Sequence, residues 1–201
     1  SEAPPIQEKY AELKNKYADF AGKLIVKGLN MDFPVAQYTD NSYYLKYTFD
    51  KVEDKHGALF VDYRDDLINL SHNTIIYGHN MRDGSMFAVL NQYDGQPYFD
   101  THRQMYLVTP TGGYVMEIFS AFAAKPAESG SDTSPWRLNW KDDGAYTTWL
   151  RAMAERSVVE TDVSVTSSDK VLTLSTCTAD PNSRLLVVAK LIDGGGVDVA
   201  S

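Results

Sequence analysis

Short apolar runs of strand length, separated by turn residues, are the feature that most limits how this chain can fold. Such runs cover residues 24–26, 33–35, 57–61, 73–79, 105–108, 114–124, 171–177 and 184–192. Runs of this length that are bounded by Gly, Pro, Asn or Ser are typical of β-strands. Since few segments have helical spacing, the sequence predicts a mostly β (α+β) fold, a barrel or sandwich with peripheral helices.

Two longer segments have helical spacing. Apolar residues recur at Tyr10, Leu13, Tyr17 and Phe20 before Gly22, which predicts a helical appendage over residues 1–22 and a β domain over 23–201. Apolar residues at 146, 149, 150 and 153 follow two aspartates that can cap a helix, at 142 and 143. A third, short helix is expected at 86–90.

Composition excludes several classes of function. The 201 residues carry 19 Lys and Arg against 27 Asp and Glu, a net charge of −8, which argues against a surface that binds nucleic acid or anionic lipid. Cys177 is the one cysteine, so we expect no internal disulfide and no multi-cysteine metal site. The chain has no HExxH, P-loop or GxGxxG motif and no apolar run long enough to span a bilayer. We therefore expect no cofactor, no metal and no nucleic-acid partner.

Cys177 ends an alternating run in which Leu172 and Leu174 point to one side and Ser175 and the thiol to the other. A lone cysteine is usually a small buried hydrophobe. Its position at a strand end, among hydroxyl residues, also suits a nucleophile, which needs a base or an imidazolium nearby. Both interpretations stay open at this point.

His79 is the histidine best placed to be that base. It ends an apolar run directly after Gly78, whereas His56, His72 and His102 lie in polar segments. A structural histidine in a strand-end turn and a catalytic one fit the spacing equally well. Arg184 opens the last run, seven residues after the cysteine. It is expected either to pair with a surface acid such as Asp180 or to stabilise an oxyanion near the sulfur.

Taken together, these motifs resemble the sortase family, and class B in particular. The resemblance rests on the sequence YGHN at 77–80, GSMF at 84–87 and TLSTC at 173–177, followed by the arginine that opens the last strand, and it runs over residues 6–192. Papain-like proteases place the cysteine before the histidine, which is the reverse order. The resemblance implies a sortase-like barrel of about eight strands.

The resemblance also implies a function and its residues. Cys177 is then the nucleophile of a cysteine transpeptidase, His79 its acid and base, and Arg184 the oxyanion or substrate-orienting residue. The positions that match the substrate groove are listed here: Asn41, Leu45, Tyr77, Ser175, Thr133 and Trp136. The expected reaction cleaves a sorting signal of a secreted surface protein after Thr, through a thioacyl-enzyme, and joins the product to a peptidoglycan amine.

Several points stay open at this stage. The acceptor is a cell-wall amine or, in a pilin-polymerising sortase, a pilin lysine. The family implies a place on the outer face of the cytoplasmic membrane of a Gram-positive bacterium, held by an N-terminal anchor absent from this chain. Asp180 is the nearest carboxylate after the cysteine, and no third, acidic catalytic residue is assigned. A non-catalytic extracellular β-domain with an inert thiol, and a hydrolytic cysteine protease, are the alternatives.

Overall fold

The computed structural model describes residues 5–26, 31–177, 180 and 182–194. The strands are β1 (Phe20–Val26), β2 (Met31–Ala36), β3 (Leu59–Val61), β4 (Asn73–Gly78), β5 (Gln104–Thr109), β6 (Gly112–Ala124), β7 (Val171–Thr176) and β8 (Arg184–Gly194). The α-helices are α1 (Pro5–Lys16), α2 (Gln96–Thr101) and α3 (Asp143–Glu155). Short 3-10 helices span Tyr43–Leu45, Phe87–Asp94 and Pro126–Glu128.

The strands form a closed barrel in the order β1-β2-β3-β4-β7-β8-β6-β5, with β5 pairing back onto β1. Two of the pairings, β2 with β3 and β4 with β7, are parallel, and the others are antiparallel. Closure removes the unpaired edges that an open sheet would expose. The prediction of a mostly β fold with an eight-stranded barrel is therefore confirmed.

The parallel pairing of β4 with β7 sets the positions of His79 and Cys177, the residues that follow these two strands. Parallel strands have their carboxyl ends at the same edge of a sheet. Tyr77 lies beside Ser175 and Gly78 beside Thr176, and the Cys177 N–H donates to the Gly78 carbonyl at 3.0 Å. The residues that follow these two strands therefore leave the barrel side by side.

Strand β7 is buried on both faces, although its alternating sequence is typical of a half-buried strand. Leu172 and Leu174 belong to the barrel core. On the outer face, Val171 packs in the cluster that contains Trp149 of α3, and the Thr173 hydroxyl donates to the Asn73 amide oxygen at 2.7 Å. Helix α3 and the segment before it cover this face, so the polar side chains there are hydrogen-bonded instead of solvated.

The helices agree with the sequence in part. The short helix expected at 86–90 is a 3-10 helix over Phe87–Asp94, and α2 has no counterpart among the predicted helices. Asp142 caps α3 by accepting the Ala145 N–H at 2.8 Å, as the sequence predicts. Helix α1 ends at Lys16, so the prediction of a helix as far as Gly22 is wrong. Phe20 continues the helical spacing but is buried as the first residue of β1, where it pairs with Ala36 of β2. The division of the chain into two domains stays a prediction.

No helix within the described ranges combines the length and the apolarity needed to cross a bilayer.

Candidate active site

The Cys177 thiol and the His79 imidazole face each other where β7 and β4 end. The two residues are 98 positions apart in the chain, and Sγ lies 4.0 Å from Nδ1. This distance is the outer limit for a hydrogen bond to sulfur. The pair therefore has the separation at which a proton can pass from the thiol to the ring after a small movement.

The tautomer of His79 follows from its other contact. The ring Nε2 lies 2.7 Å from the main-chain oxygen of Leu45, and a carbonyl can only accept. Nε2 therefore carries a proton, and in the neutral ring Nδ1 presents its lone pair to the sulfur. The imidazole is oriented as a base towards the thiol, and the Leu45 carbonyl would also stabilise the imidazolium that forms.

Gly57 provides the space that this orientation needs. Its φ of +59° is unfavourable for residues with a side chain. A Cβ here would lie 2.2 Å from the Tyr44 carbonyl oxygen and 3.2 Å from Cδ2 of His79. The close approach of the 44–57 segment to the ring therefore depends on glycine at this position.

Burial raises the pKa of the Cys177 thiol to about 12, and the positive charge of Arg184 only partly opposes this rise. Burial therefore favours the neutral thiol, and the imidazole of His79 is the nearby group that can accept its proton.

Arg184 begins β8 and is half-buried. It lines the same surface cleft as Cys177. Its Nη1 donates to the main-chain oxygens of Asp180 and, at 3.0 Å, of Ser183. These are carbonyl contacts, and Arg184 has no ion pair with any residue in the described part of the chain. The guanidinium therefore keeps its charge available next to the sulfur, where it can stabilise a developing oxyanion.

A cleft of about 710 Å³ leads to the sulfur. Asn41, Tyr77, Ser175 and Trp136, which the sequence predicts as groove residues, all line it. Its other lining residues are Arg64, Pro126, Ser134, Thr176, Cys177, Arg184 and the segments 129–132 and 137–139.

The remaining two predicted groove residues lie elsewhere. Leu45 is not among the lining residues, and it contacts the site through its carbonyl on His79. Thr133 is exposed between two lining residues, and its carbonyl accepts a hydrogen bond from Arg156 at 3.4 Å.

A buried carboxylate beneath the cleft organises several of these side chains, and sequence reasoning missed it. Asp62 is fully buried. Its oxygens accept hydrogen bonds from Arg64 Nε at 2.9 Å, the Tyr77 hydroxyl at 2.8 Å and Asn41 Nδ2 at 3.1 Å. Burial opposes ionisation, but the hydrogen bonds from Arg64 and Tyr77 outweigh it and hold the pKa of Asp62 below its usual range. The sequence feature that could have pointed to Asp62 is the mostly charged run 62–66, which directly follows a buried strand.

The opposite wall of the cleft is joined to β7 by a side-chain hydrogen bond. Trp136 Nε1 donates to Ser175 Oγ at 2.9 Å, and this hydroxyl in turn donates to the Thr176 carbonyl at 3.1 Å. The segment that contains Trp136 is further held by the Trp149 indole, which donates to the Ser134 carbonyl at 2.8 Å. The wall is therefore linked to both β7 and α3.

Among the described residues, no cluster of three or more His, Cys, Asp or Glu side chains is arranged to hold a metal ion. The other histidines are engaged elsewhere. His56 bridges Asp54 and Asp83 at 2.6 and 2.7 Å, His72 stacks on Tyr146, and His102 on Tyr98.

A closed mixed barrel, with a thiol, an imidazole and a guanidinium at one end of a cleft, defines a small class of cysteine-dependent proteins. The model of the sortase domain matches residues 24–192, and the chain belongs to the sortase family. Its relatives are of class B, as the sequence motifs predict, and the family and these relatives support a transpeptidase role.

Comparisons with two of these relatives show how far the similarity extends. The chain is 32% identical to Sortase B of Staphylococcus aureus over 190 residues, which cover 93% of this chain and 76% of that protein. The solved S. aureus sortase B–substrate complex superposes with a TM-score of 0.87 at 32% identity, over 93% of this chain and 86% of that one. Sortase B of Clostridium perfringens gives 0.83 at 32% identity, over 91% and 99%.

Proposed function

We propose that this protein is a cysteine transpeptidase that cleaves a sorting signal after a Thr residue and transfers the acyl group to a cell-wall amine. The observation that carries the proposal is the thiol of Cys177, 4.0 Å from Nδ1 of His79, at the end of an open cleft. Membership of the sortase family supports the same reaction. The proposed location is the outer face of the cytoplasmic membrane of a Gram-positive cell.

Acylation begins with proton transfer, because burial favours the neutral form of the Cys177 thiol. As the sulfur of Cys177 attacks the Thr carbonyl, its proton passes to Nδ1 of His79. A tetrahedral oxyanion forms, and the guanidinium of Arg184 stabilises its charge. The imidazolium then gives the Nδ1 proton to the leaving amine, the C–N bond breaks, and a thioacyl-enzyme remains.

Deacylation runs through the same groups in reverse. Neutral His79 accepts a proton from the incoming amine as its nitrogen attacks the thioester carbon. A C–N bond forms and the C–S bond of Cys177 breaks, and the proton on Nδ1 returns to the sulfur. Throughout, the Nε2 proton stays on His79 and is donated in a hydrogen bond to the Leu45 carbonyl, which keeps Nδ1 directed at the sulfur.

The cleft has the properties expected of a site for an extended peptide. It is about 710 Å³ in volume, and its walls offer hydrogen-bonding side chains from Asn41, Tyr77 and Arg64 together with the indole of Trp136. Small-molecule and peptide sites of this size usually combine apolar walls with a few positioned polar groups. The S. aureus relative has been solved as a substrate complex, and we propose that a sorting-signal peptide occupies the corresponding cleft here.

Mass spectrometry of the protein with a panel of sorting-signal peptides tests the proposal. The expected result is a covalent adduct that adds to Cys177 the mass of the peptide up to and including Thr, less one water, and its disappearance when an amine is added. Cys177→Ala is the matched control. Turnover by the Cys177→Ala protein, or no adduct with any peptide of the panel, contradicts the proposal. Product without amine capture would indicate a hydrolytic protease.

A further inference from the structure

A second groove of about 500 Å³ lies next to the candidate active site and shares no lining residue with the first cleft. Asn80, which directly follows His79, lines it from one side, and Asp180 lines it from the other. Asp180 is also the residue whose carbonyl accepts the hydrogen bond from Arg184, a residue of the first cleft. The two grooves therefore adjoin at the Arg184–Asp180 contact, beside the sulfur and the imidazole.

The polar side chains of this groove are preorganised on one wall. Asn80 and Asn91 exchange hydrogen bonds through their side-chain amides, at 3.0 and 2.8 Å, and the Asn91 amide also donates to the Ala88 carbonyl at 2.8 Å. These contacts hold the segment that follows His79 against the 3-10 helix Phe87–Asp94.

The charges of the groove are one cation and one anion, Arg82 and Asp180, both exposed. Neither has an ion pair with any residue in the part of the chain that the structure describes; the Asp180 carboxylate accepts only the Asn182 N–H, at 2.8 Å. The neighbouring acid, Asp83, is directed to His56 and Ser85. The groove therefore offers a guanidinium and a carboxylate to a ligand.

We propose that this groove binds the acceptor amine of the transpeptidation and that it takes an amine whose own carbon carries a carboxylate, as at the side-chain end of a diamino-diacid. This inference rests on the proposed function. The Arg82 guanidinium would hold the acceptor carboxylate, since planar guanidinium and carboxylate groups form paired hydrogen bonds. Asp180 would face the amine and draw it towards the thioester.

A plain amine fits this groove less well. A lysine side chain or the amino end of a glycine bridge is cationic near neutral pH and has no carboxylate beside the nitrogen. Such an acceptor satisfies Asp180 but leaves Arg82 as a like charge close by, which disfavours binding. The groove chemistry thus favours the zwitterionic acceptor among those that the sequence leaves open.

The reaction itself is balanced without a further reactant. The uncharged amine attacks the thioester carbon, the C–N bond forms, and the C–S bond to Cys177 breaks. One amine proton passes through Nδ1 of His79 to the leaving sulfur. Arg82 takes no part in these bond changes, so it acts on acceptor affinity and choice.

The test uses the acyl-enzyme formed from a cleavable sorting-signal peptide and two acceptor probes, meso-diaminopimelic acid and its diamide. The measured quantity is the ratio of the second-order rate constants for capture by the acid and by the diamide. We expect Arg82→Gln to lower this ratio about fivefold, the effect of one partly solvated ion pair. Comparing variants cancels the difference in basicity between the two probes.

Two further variants complete the design. Arg151→Gln removes an exposed arginine of α3 and should leave the ratio unchanged. Asp180→Asn should slow capture of both probes to a similar extent, because both keep the amine. An unchanged ratio in the Arg82→Gln protein overturns this inference alone. If the unsubstituted protein forms no acyl-enzyme, the proposed function fails and the inference with it.

Discussion

Replacing the buried Asp62 by Asn is expected to weaken both the fold and the cleft above it. The substitution keeps the shape of the side chain but turns one acceptor oxygen into an NH₂ donor. Asp62 Oδ2 accepts from Tyr77, Asn41 and Arg64 Nη2, while Oδ1 accepts the main-chain and Nε protons of Arg64. Whichever way the amide is oriented, at least two of these donors then face another donor.

The size of the effect follows from the burial of the two partners. Removing one member of a fully buried ion pair costs about 3–5 kcal/mol. The Arg64 side chain is 48% exposed while that of Asp62 is fully buried, so water takes over part of the guanidinium charge. We therefore expect Asp62→Asn to lower the free energy of unfolding by about 2–3 kcal/mol, which for a domain of this size is a fall in Tm of about 5–10 °C.

Denaturant unfolding followed by tryptophan fluorescence at pH 7 measures this difference. The pKa of Asp62 is lower in the folded protein than in the unfolded chain. The contribution of Asp62 to the free energy of unfolding is therefore present above the unfolded pKa of about 3.9, and it is lost as the pH falls through the folded pKa. The difference in free energy of unfolding between the unsubstituted and the Asp62→Asn proteins should therefore shrink below about pH 4. Asp94→Asn, at an exposed position, is the control. A loss below about 0.5 kcal/mol at pH 7, or a gap independent of pH, would refute the reasoning.

Three other outcomes are expected. Gly57→Ala should reduce peptide cleavage at least about tenfold, because its Cβ would meet the Tyr44 carbonyl at 2.2 Å; Gly84→Ala, also at positive φ but with open space around it, should keep most activity. Burial raises the pKa of Asp65 to about 7, so its contribution to the free energy of unfolding is fully present below the unfolded pKa of about 3.9 and is lost as the pH rises through the folded value; unfolding of the Asp65→Asn protein should be less sensitive to pH between about 4 and 7. Hydrogen bonds to Asp83 and Asp54 raise the pKa of His56. Its contribution to stability is therefore present below about pH 6.5 and is lost as the pH rises through the folded pKa. Thermal melts of the His56→Gln protein should not show this loss of stability.

Much of the fold could be predicted because strand length and alternation are local properties. The strand runs, the helix that Asp142 caps and the strand-end positions of Cys177 and His79 all follow from the spacing of apolar residues. That the two residues meet depends on the parallel pairing of β4 and β7. No local pattern specifies that pairing, and the sequence does not predict it; the family resemblance implies only that Cys177 and His79 act together.

Other parts of the site depend on contacts that the sequence pattern does not carry. The Leu45 carbonyl orients His79, and a main-chain oxygen has no signature in residue type. Asp62 lies in a run of charged residues, which is typical of a solvated loop, yet it is buried because the cleft closes over it. For Arg184 the sequence predicts a surface acid or an oxyanion as partner, and its contact in the structure is with the carbonyl of Asp180.

Strands β4 and β7, which lead to His79 and Cys177, are far apart in the chain. This separation affects when the two side chains meet during folding. Strand β4 ends at residue 78, whereas β7 begins at 171, so β7 leaves the ribosome last but for β8. Contacts between such distant segments form late, because the intervening chain must first be closed into a loop. During synthesis the thiol of Cys177 therefore stays apart from the imidazole of His79 until the barrel is almost complete.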